Sequence, residues 1–353
     1  MSIYEVWKNE VSLPEVAELE EIKAEHICIK PFEPEKDGYI FMHGVALAKF
    51  RDKMYCAWAH NKVLENSDDE ELNYAISNDS GYTWSDFIRG NCSPEPGTAV
   101  SHGVFLNHGE KLYLFAPHFK GHMGHDMFKM GAYILNEEND SFEFAGIALD
   151  ERFWPMCEPV LMENGNYIMP GIYVAEDYMS PNNRAAVAIS RGSDILTWDM
   201  VKIERSDDVR VWGECSLIVD GKNCKMYCRE HSGKNIALYS ESNDYGKSWS
   251  IMKSSNLPMT DSKPYSGRLS NGCGYLICSC AKDIAGRNPL TIALTKKNEN
   301  KFSKIYKIAE GEMLSYPYAI EADNKLYVAY SSGSYGNRNS AMLAIIDMEN
   351  LEA

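Results

Sequence analysis

A chain of 353 residues with 44% hydrophobic and 24% charged side chains can form one large domain or two medium ones, with an ordinary globular make-up. The net charge of −16 excludes nucleic acid as a partner, because little here would release counterions from phosphates. No apolar run reaches 18 residues and residues 1–26 lack a basic, apolar leader, which excludes a membrane partner and reads as a cytoplasmic protein, or one whose leader was removed in cloning.

Along the chain, LPEVAELEEIKAEH (13–26) is the one fair amphipathic-helix candidate, within a lead-in of residues 1–35 that also supplies a closure strand. From there the texture is β. GVALAKFRDKMYCAWAH, HGVFLNHGEKLYLFAPH, EPVLMENGNYIMPGIY, ECSLIVDGKNCKMYCRE, SGRLSNGCGYLICSCA and PYAIEADNKLYVAYSS are six hairpins, each two apolar runs joined by a tight turn. A third run in several of them, such as LNYAIS or IALYSES, leads into a recurrent turn. SNDSGYTW (77–84) and SNDYGKSW (242–249) share Ser-x-Asp-x-Gly-x-x-Trp, and degraded versions lie at NEENDSF, SRGSDILTW and TKKNENKF. Anchored on the aromatics at 84, 142, 198, 249 and 302, the intervals are 58, 56, 51 and 53 residues. About four strands per fifty-odd residues, six times over, is an all-β, six-bladed propeller of four-stranded antiparallel blades, a single domain over 1–353.

The turn motif is mechanical: Asp accepts backbone N–H bonds, Gly takes the positive-φ position, Trp packs, and the Ser hydroxyl braces the hairpin. Asp79, Gly81, Trp84, Asp244, Gly246 and Trp249 are therefore structural. The ten cysteines, Cys92 included, lack zinc spacing, and most sit in apolar strand-like runs, so they read mostly as buried reduced thiols.

These boxes and the blade texture resemble the sialidase superfamily, the Asp-box or BNR-repeat proteins, most firmly from about residue 150 onward. That resemblance implies a retaining glycosidase in which a tyrosine, activated by a glutamate, attacks the anomeric carbon, with an aspartate handling the proton and arginines clamping a substrate carboxylate. It assigns Glu214 in GECS as the base, Arg229 in CREHSG and Arg287 in GRNPLT as clamp residues, Tyr316 in SYPY as nucleophile and Asp69 in NSDDEELNYAIS as acid. The substrate is then an oligosaccharide or glycan ending in an acidic or unusual sugar. One departure stands out: where the family opens its first strand with Arg-Ile-Pro, this chain reads YIFMHGVALAKF, with Met42 and His43. Arg184 and Arg338 are candidates for the missing arginine.

Histidines collect in the same half. His43 and His102 each precede Gly-Val at equivalent repeat positions, with His60 and His118 at other hairpin edges. A second reading is a His/Tyr-dependent lyase or rhamnosidase-type enzyme on uronate-containing glycans, built on His43, His102, His118, Tyr173 and Arg184. A third is a glycan-binding propeller without catalysis. HFKGHMGHD (118–126) has enough ligand types for a metal but no established spacing, so neither a metal nor another cofactor is assigned. The oligomeric state is left open.

Overall fold

The computed structural model describes residues 3–90, 95–176, 180–333 and 339–352; Cys92 and Arg338 lie outside them. Six antiparallel sheets follow one another along the chain. Blade one is Phe41–Phe50, Lys53–Asn61, Glu71–Ser77 and Ile88–Arg89. In blade two, Ala99–Val100 and Val104–His108 share the inner edge, followed by Lys111–Lys120, Met127–Asn136 and Ser141–Leu149. Blade three splits its inner edge likewise, into Phe153–Pro155 and Val160–Leu161, before Tyr167–Tyr173, Arg184–Arg191 and Asp194–Lys202.

Blade four is Val211–Asp220, Asn223–Glu230, Ile236–Ser242 and Lys253–Pro258, and blade five is Tyr265–Arg268, Gly274–Cys278, Leu290–Thr295 and Phe302–Ala309. Blade six joins both ends of the chain. Ser315–Ala322, Lys325–Ser332 and Ser340–Asp347 are completed by Glu25–Lys30, whose residues pair antiparallel with Ser340–Asp347. This pairing closes the ring and covers an otherwise open edge. Contacts between inner strands run from blade six to one, one to two, four to five and five to six, so the strand starts surround a common axis.

The expected helix over 13–26 is not there. Only Val16–Glu18 makes a 3-10 turn, and Glu20–Glu21 adds a parallel strand to the outer edge of blade five. A short helix is marginal by itself. Pairing wins here because it buries Ile22 and puts Glu20 2.7 Å from Lys304.

The two full boxes form matching bond sets. Gly81 N donates to Ser77 Oγ at 2.9 Å and Thr83 N to Asp79 Oδ1 at 2.8 Å; Gly246 N donates to Ser242 Oγ at 3.0 Å and Ser248 N to Asp244 Oδ1 at 2.9 Å. Both indoles donate to the glycine carbonyl three residues back at 2.9 Å, and Trp198 in the degraded box keeps this bond, to Ile195 O, at 2.6 Å. The five aromatic anchors lie in, or just before, the outer strands of the first five blades. Among the described cysteines all are free, and all but Cys28 are buried.

Candidate active site

Three inner strands break register near their starts, between His43 and Ala46, Val211 and Cys215, and Ser315 and Tyr318. Each fits extra residues against its neighbour, which bends the strand and re-aims a side chain. Gly44, with φ +68°, is required by proximity: a Cβ there would lie 2.1 Å from the His102 ring. Gly213, with φ +107°, precedes Glu214, and a Cβ on it would meet Ile172 at 2.7 Å and the Arg184 carbonyl at 3.0 Å. In blade six the same region is held without glycine, because Tyr316 itself has φ +54°. That is an uncommon conformation for a bulky residue, and surrounding structure must hold it.

One half of the channel mouth, from blades four to six, is polar and ion-paired. The Tyr316 hydroxyl donates to Glu214 Oε1 at 2.7 Å, and Arg229 Nη1 donates to Glu214 Oε2 at 2.7 Å. Arg229 Nε donates to Asp261, whose other oxygen lies 3.2 Å from His231 Nδ1. Arg229 also lies over the Trp212 ring at 4.8 Å. Arg287 Nε donates to the Asp261 backbone carbonyl at 3.1 Å, and its guanidinium lies 5.9 Å from the Tyr316 ring centre. Burial by itself would raise the Asp261 carboxyl, but Arg229 and His231 outweigh it and hold the group below its usual range. Burial, and after it the Glu214 charge, push the Tyr316 phenol well above its usual value, so the hydroxyl keeps its proton. Beneath the site, buried Lys263 donates to Pro317 O at 2.9 Å and supports the turn after Tyr316.

The facing half, from blades one to three, is aromatic. The His43 ring lies 5.1 Å from His102 and 5.7 Å from Tyr316, while His102 lies 6.2 Å from Tyr316 and 5.1 Å from Trp154. Burial lowers the His43 pKa to about 3; burial, followed by His43 and Lys263, drives His102 well below its usual value. Both imidazoles are therefore neutral. Across this gap Glu65 Oε1 sits 3.8 Å from His43 Nε2. Burial and the Glu214 charge raise the Glu65 carboxyl to about 7, against the opposing pull of Arg287 and Arg229.

Of the residues singled out from sequence, the structure brings Glu214, Arg229, Arg287, Tyr316, His43 and His102 to this mouth. Asp69 lies in the same loop as Glu65, but its carboxylate accepts the Lys62 N–H at 2.7 Å and the Ser67 hydroxyl. His118 lies inside blade two, with Nε2 2.8 Å from the Tyr133 hydroxyl and the Phe144 ring beside it. Tyr173 and Arg184 are cross-strand partners in blade three; Lys202 covers the Tyr173 ring at 3.5 Å and Arg184 donates to Asn183 O at 2.9 Å. His60 stacks on Tyr39 with ring centres 3.7 Å apart. Among the described residues no three His, Cys, Asp or Glu side chains are grouped to hold a metal ion.

Sequence reasoning missed Glu65, Asp261, Trp212, His231 and Lys263. Asp261 and Lys263 sit in LPMTDSKPYSG, a stretch that carried the resemblance, two residues apart at the entry to blade five. Glu65 gave no signal beyond being one of several acids in its loop.

Residues 52–328 match the BNR repeat-like domain family, and the chain belongs to that family. No curated protein matches it. Among solved structures it is similar to a protein of unknown function from Dyadobacter fermentans, at 12% identity and TM-score 0.72, over 92% of this chain and 98% of that one. It is similar to Trypanosoma rangeli sialidase, at 16% identity and TM-score 0.66, over 87% of this chain and 55% of that one. With NanB sialidase from Streptococcus pneumoniae the figures are 11% identity and TM-score 0.69, over 88% of this chain and 69% of that one. This chain thus spans little more than half the length of the trypanosomal protein. The shared property is the sialidase-type six-bladed propeller.

Proposed function

We propose that this protein is a retaining exo-glycosidase that removes a terminal sugar from an oligosaccharide or glycan. The observation that carries the reading is the Tyr316–Glu214 pair: a neutral phenol 2.7 Å from a buried carboxylate, on a positive-φ bulge at the channel mouth. A phenol with a raised pKa is a poor nucleophile by itself and needs a base in contact.

In the first step the Tyr316 oxygen bonds to the anomeric carbon while its proton passes to Glu214 Oε1. The glycosidic C–O bond breaks as Glu65 gives its proton to the departing oxygen. In the second step Glu65 takes a proton from water, whose oxygen displaces Tyr316 from the sugar, and Glu214 returns its proton to the phenol. Two displacements at one carbon retain its configuration. A Glu65 pKa of about 7 suits a group that must be acid and then base at neutral pH. In this reading Glu65 takes the acid role that the resemblance gave to Asp69, and Asp69 shapes the loop. Arg229 holds Glu214 in place, and Arg287 flanks the sugar.

The test is a panel of activated glycosides with product anomers and masses recorded, followed by a fluorinated trapping sugar. The expected result is retention, addition of one water, and a trapped sugar on the peptide containing Tyr316. Inversion would remove the nucleophile assignment. An unsaturated, near-ultraviolet-absorbing product would favour elimination, which the His43–His102 pair against Tyr316 supports although His118, Tyr173 and Arg184 have their partners elsewhere. Binding without product across the panel would favour the non-catalytic propeller.

A further inference from the structure

The charges around the mouth bear on what the reacting carbon can carry, on the reading that the site is a glycosidase. Arg229 is 7% exposed and faces two carboxylates at once, Glu214 at 2.7 Å and Asp261 through its Nε. Asp261 is the more exposed of those two, at 36% of its side-chain surface against 2% for Glu214. Any anion approaching Arg229 from the channel meets the Asp261 carboxylate as well. Arg287 is the other guanidinium beside Tyr316, and its hydrogen bond goes to the Asp261 backbone carbonyl; no carboxylate among the described residues lies at ion-pair distance from it.

Among the described residues the opposite wall supplies no cation. His43 is 3% exposed with its pKa pushed to about 3, His102 is also buried and neutral, and His231 on the polar side is spoken for by Asp261. Glu65 adds a carboxyl whose pKa is raised to about 7. Lys263, 2% exposed, lies under the floor, with its ammonium on Pro317 O and its charge acting on both His102 and Glu158. Among the described residues at the mouth, the Arg229 and Arg287 guanidiniums face the Glu214 and Asp261 carboxylates and the Glu65 carboxyl, while Arg210 lies exposed on the far side of His231. Such a pocket is neutral to slightly acidic, and a carboxylate on the reacting carbon would sit within reach of Glu214, Glu65 and Asp261 with one unmatched guanidinium to hold it.

We infer that the substrate is an aldoside: a sugar with hydrogen, not carboxylate, on its anomeric carbon. Arg287 then addresses a hydroxyl or other substituent on the ring, and Asp261 is the residue that sets the preference by neutralising Arg229. A neutral phenol nucleophile fits such a site because it brings no further negative charge into it.

The test uses the wild-type chain and paired glycals, unsaturated six-membered sugars flattened toward the transition-state ring shape. The members of each pair differ only in carboxylate or hydrogen at the carbon equivalent to the anomeric one. Titration calorimetry across the common pyranose configurations should find the hydrogen-bearing member of the best pair tighter by about tenfold or more, the scale of one uncompensated like charge near a protein surface. Asp261→Asn should narrow that ratio by about tenfold, mostly by tightening the acid, as expected when one like charge is removed. If the carboxylate-bearing member binds tighter to wild type, the aldoside inference fails while the glycosidase reading stands. If no glycal of either kind binds the folded protein, both fail together.

Discussion

The outer rim and the inner channel of this propeller both contain repeats, and they repeat different things. At the rim the two full boxes keep the same side chains and the same bonds to within 0.1 Å, as in Gly81 N to Ser77 at 2.9 Å and Gly246 N to Ser242 at 3.0 Å. At the channel, blades one, four and six repeat a register break, but fill it with His43, Glu214 and Tyr316. A turn whose polar side chains satisfy its own backbone has one solution, so sequence repeats along with geometry. A bulge only has to bend the strand, so the side chain it presents is free to differ from blade to blade. In this chain the difference separates the residues that hold blades together from those that face a ligand.

If the inner bulges carry the chemistry, Tyr316→Phe should give the largest effect, a loss of about a thousandfold or more in kcat, because the attacking oxygen is gone. Thermal stability should change little, since the ring and its positive-φ backbone remain; one buried hydrogen bond, to Glu214, is lost. A variant that unfolds at the same temperature and retains full turnover would place the chemistry elsewhere.

Glu65→Gln is next, at about a hundredfold for the natural leaving group, the range of general acid catalysis, and less for glycosides whose leaving group needs no proton. The pH profile carries the sign. Glu65 is raised to about 7, so its protonated, acid-competent form is present below that pH and lost above it. Activity in the wild type should therefore fall as pH rises through about 7, and Glu65→Gln should flatten that alkaline limb. An alkaline limb unchanged in the variant would remove Glu65 from the acid role.

What could be read in advance follows the same division. The blade count was legible because every box announces a turn locally, and Trp84, Phe142, Trp198, Trp249 and Phe302 fall where the spacing put them, at the outer strands. Glu214, Arg229 and Tyr316 were legible through the resemblance, each inside a short quoted stretch. Glu65 was not, because its role depends on distance to His43 and on the nearby Glu214 charge, neither of which has a sequence period. Asp261 was missed for a related reason: a lone acid in a loop becomes a hub only when Arg229, His231 and Arg287 fold around it. The failed helix over 13–26 shows the reverse limit, where a legible local pattern lost to an available sheet edge.

Gly213→Ala should join stability to activity. Its methyl would meet Ile172 at 2.7 Å and the Arg184 carbonyl at 3.0 Å, on a backbone at φ +107°. A cost of about 2 to 3 kcal/mol is expected from strain and overpacking combined. The bulge leads directly into Glu214, so turnover should drop as well as melting temperature. Equal destabilisation with unchanged kinetics would show that the bulge holds the blade but does not aim the carboxylate.

The rim should give the smallest change and only in one readout. Ser242 is 5% exposed and its hydroxyl accepts from Gly246 N at 3.0 Å and from Asp244 N at 3.3 Å. Ser242→Ala leaves those amides without that acceptor, which should cost about 1 kcal/mol, the usual scale for a lost intramolecular hydrogen bond. Chemical denaturation should register it, while kcat and KM on any accepted glycoside stay within error. Ser242 lies at the far end of its blade's third strand, paired with Cys224 at the rim end of the second. A kinetic effect from Ser242→Ala would mean that the rim turns tune the mouth, and that the two kinds of repeat are coupled after all.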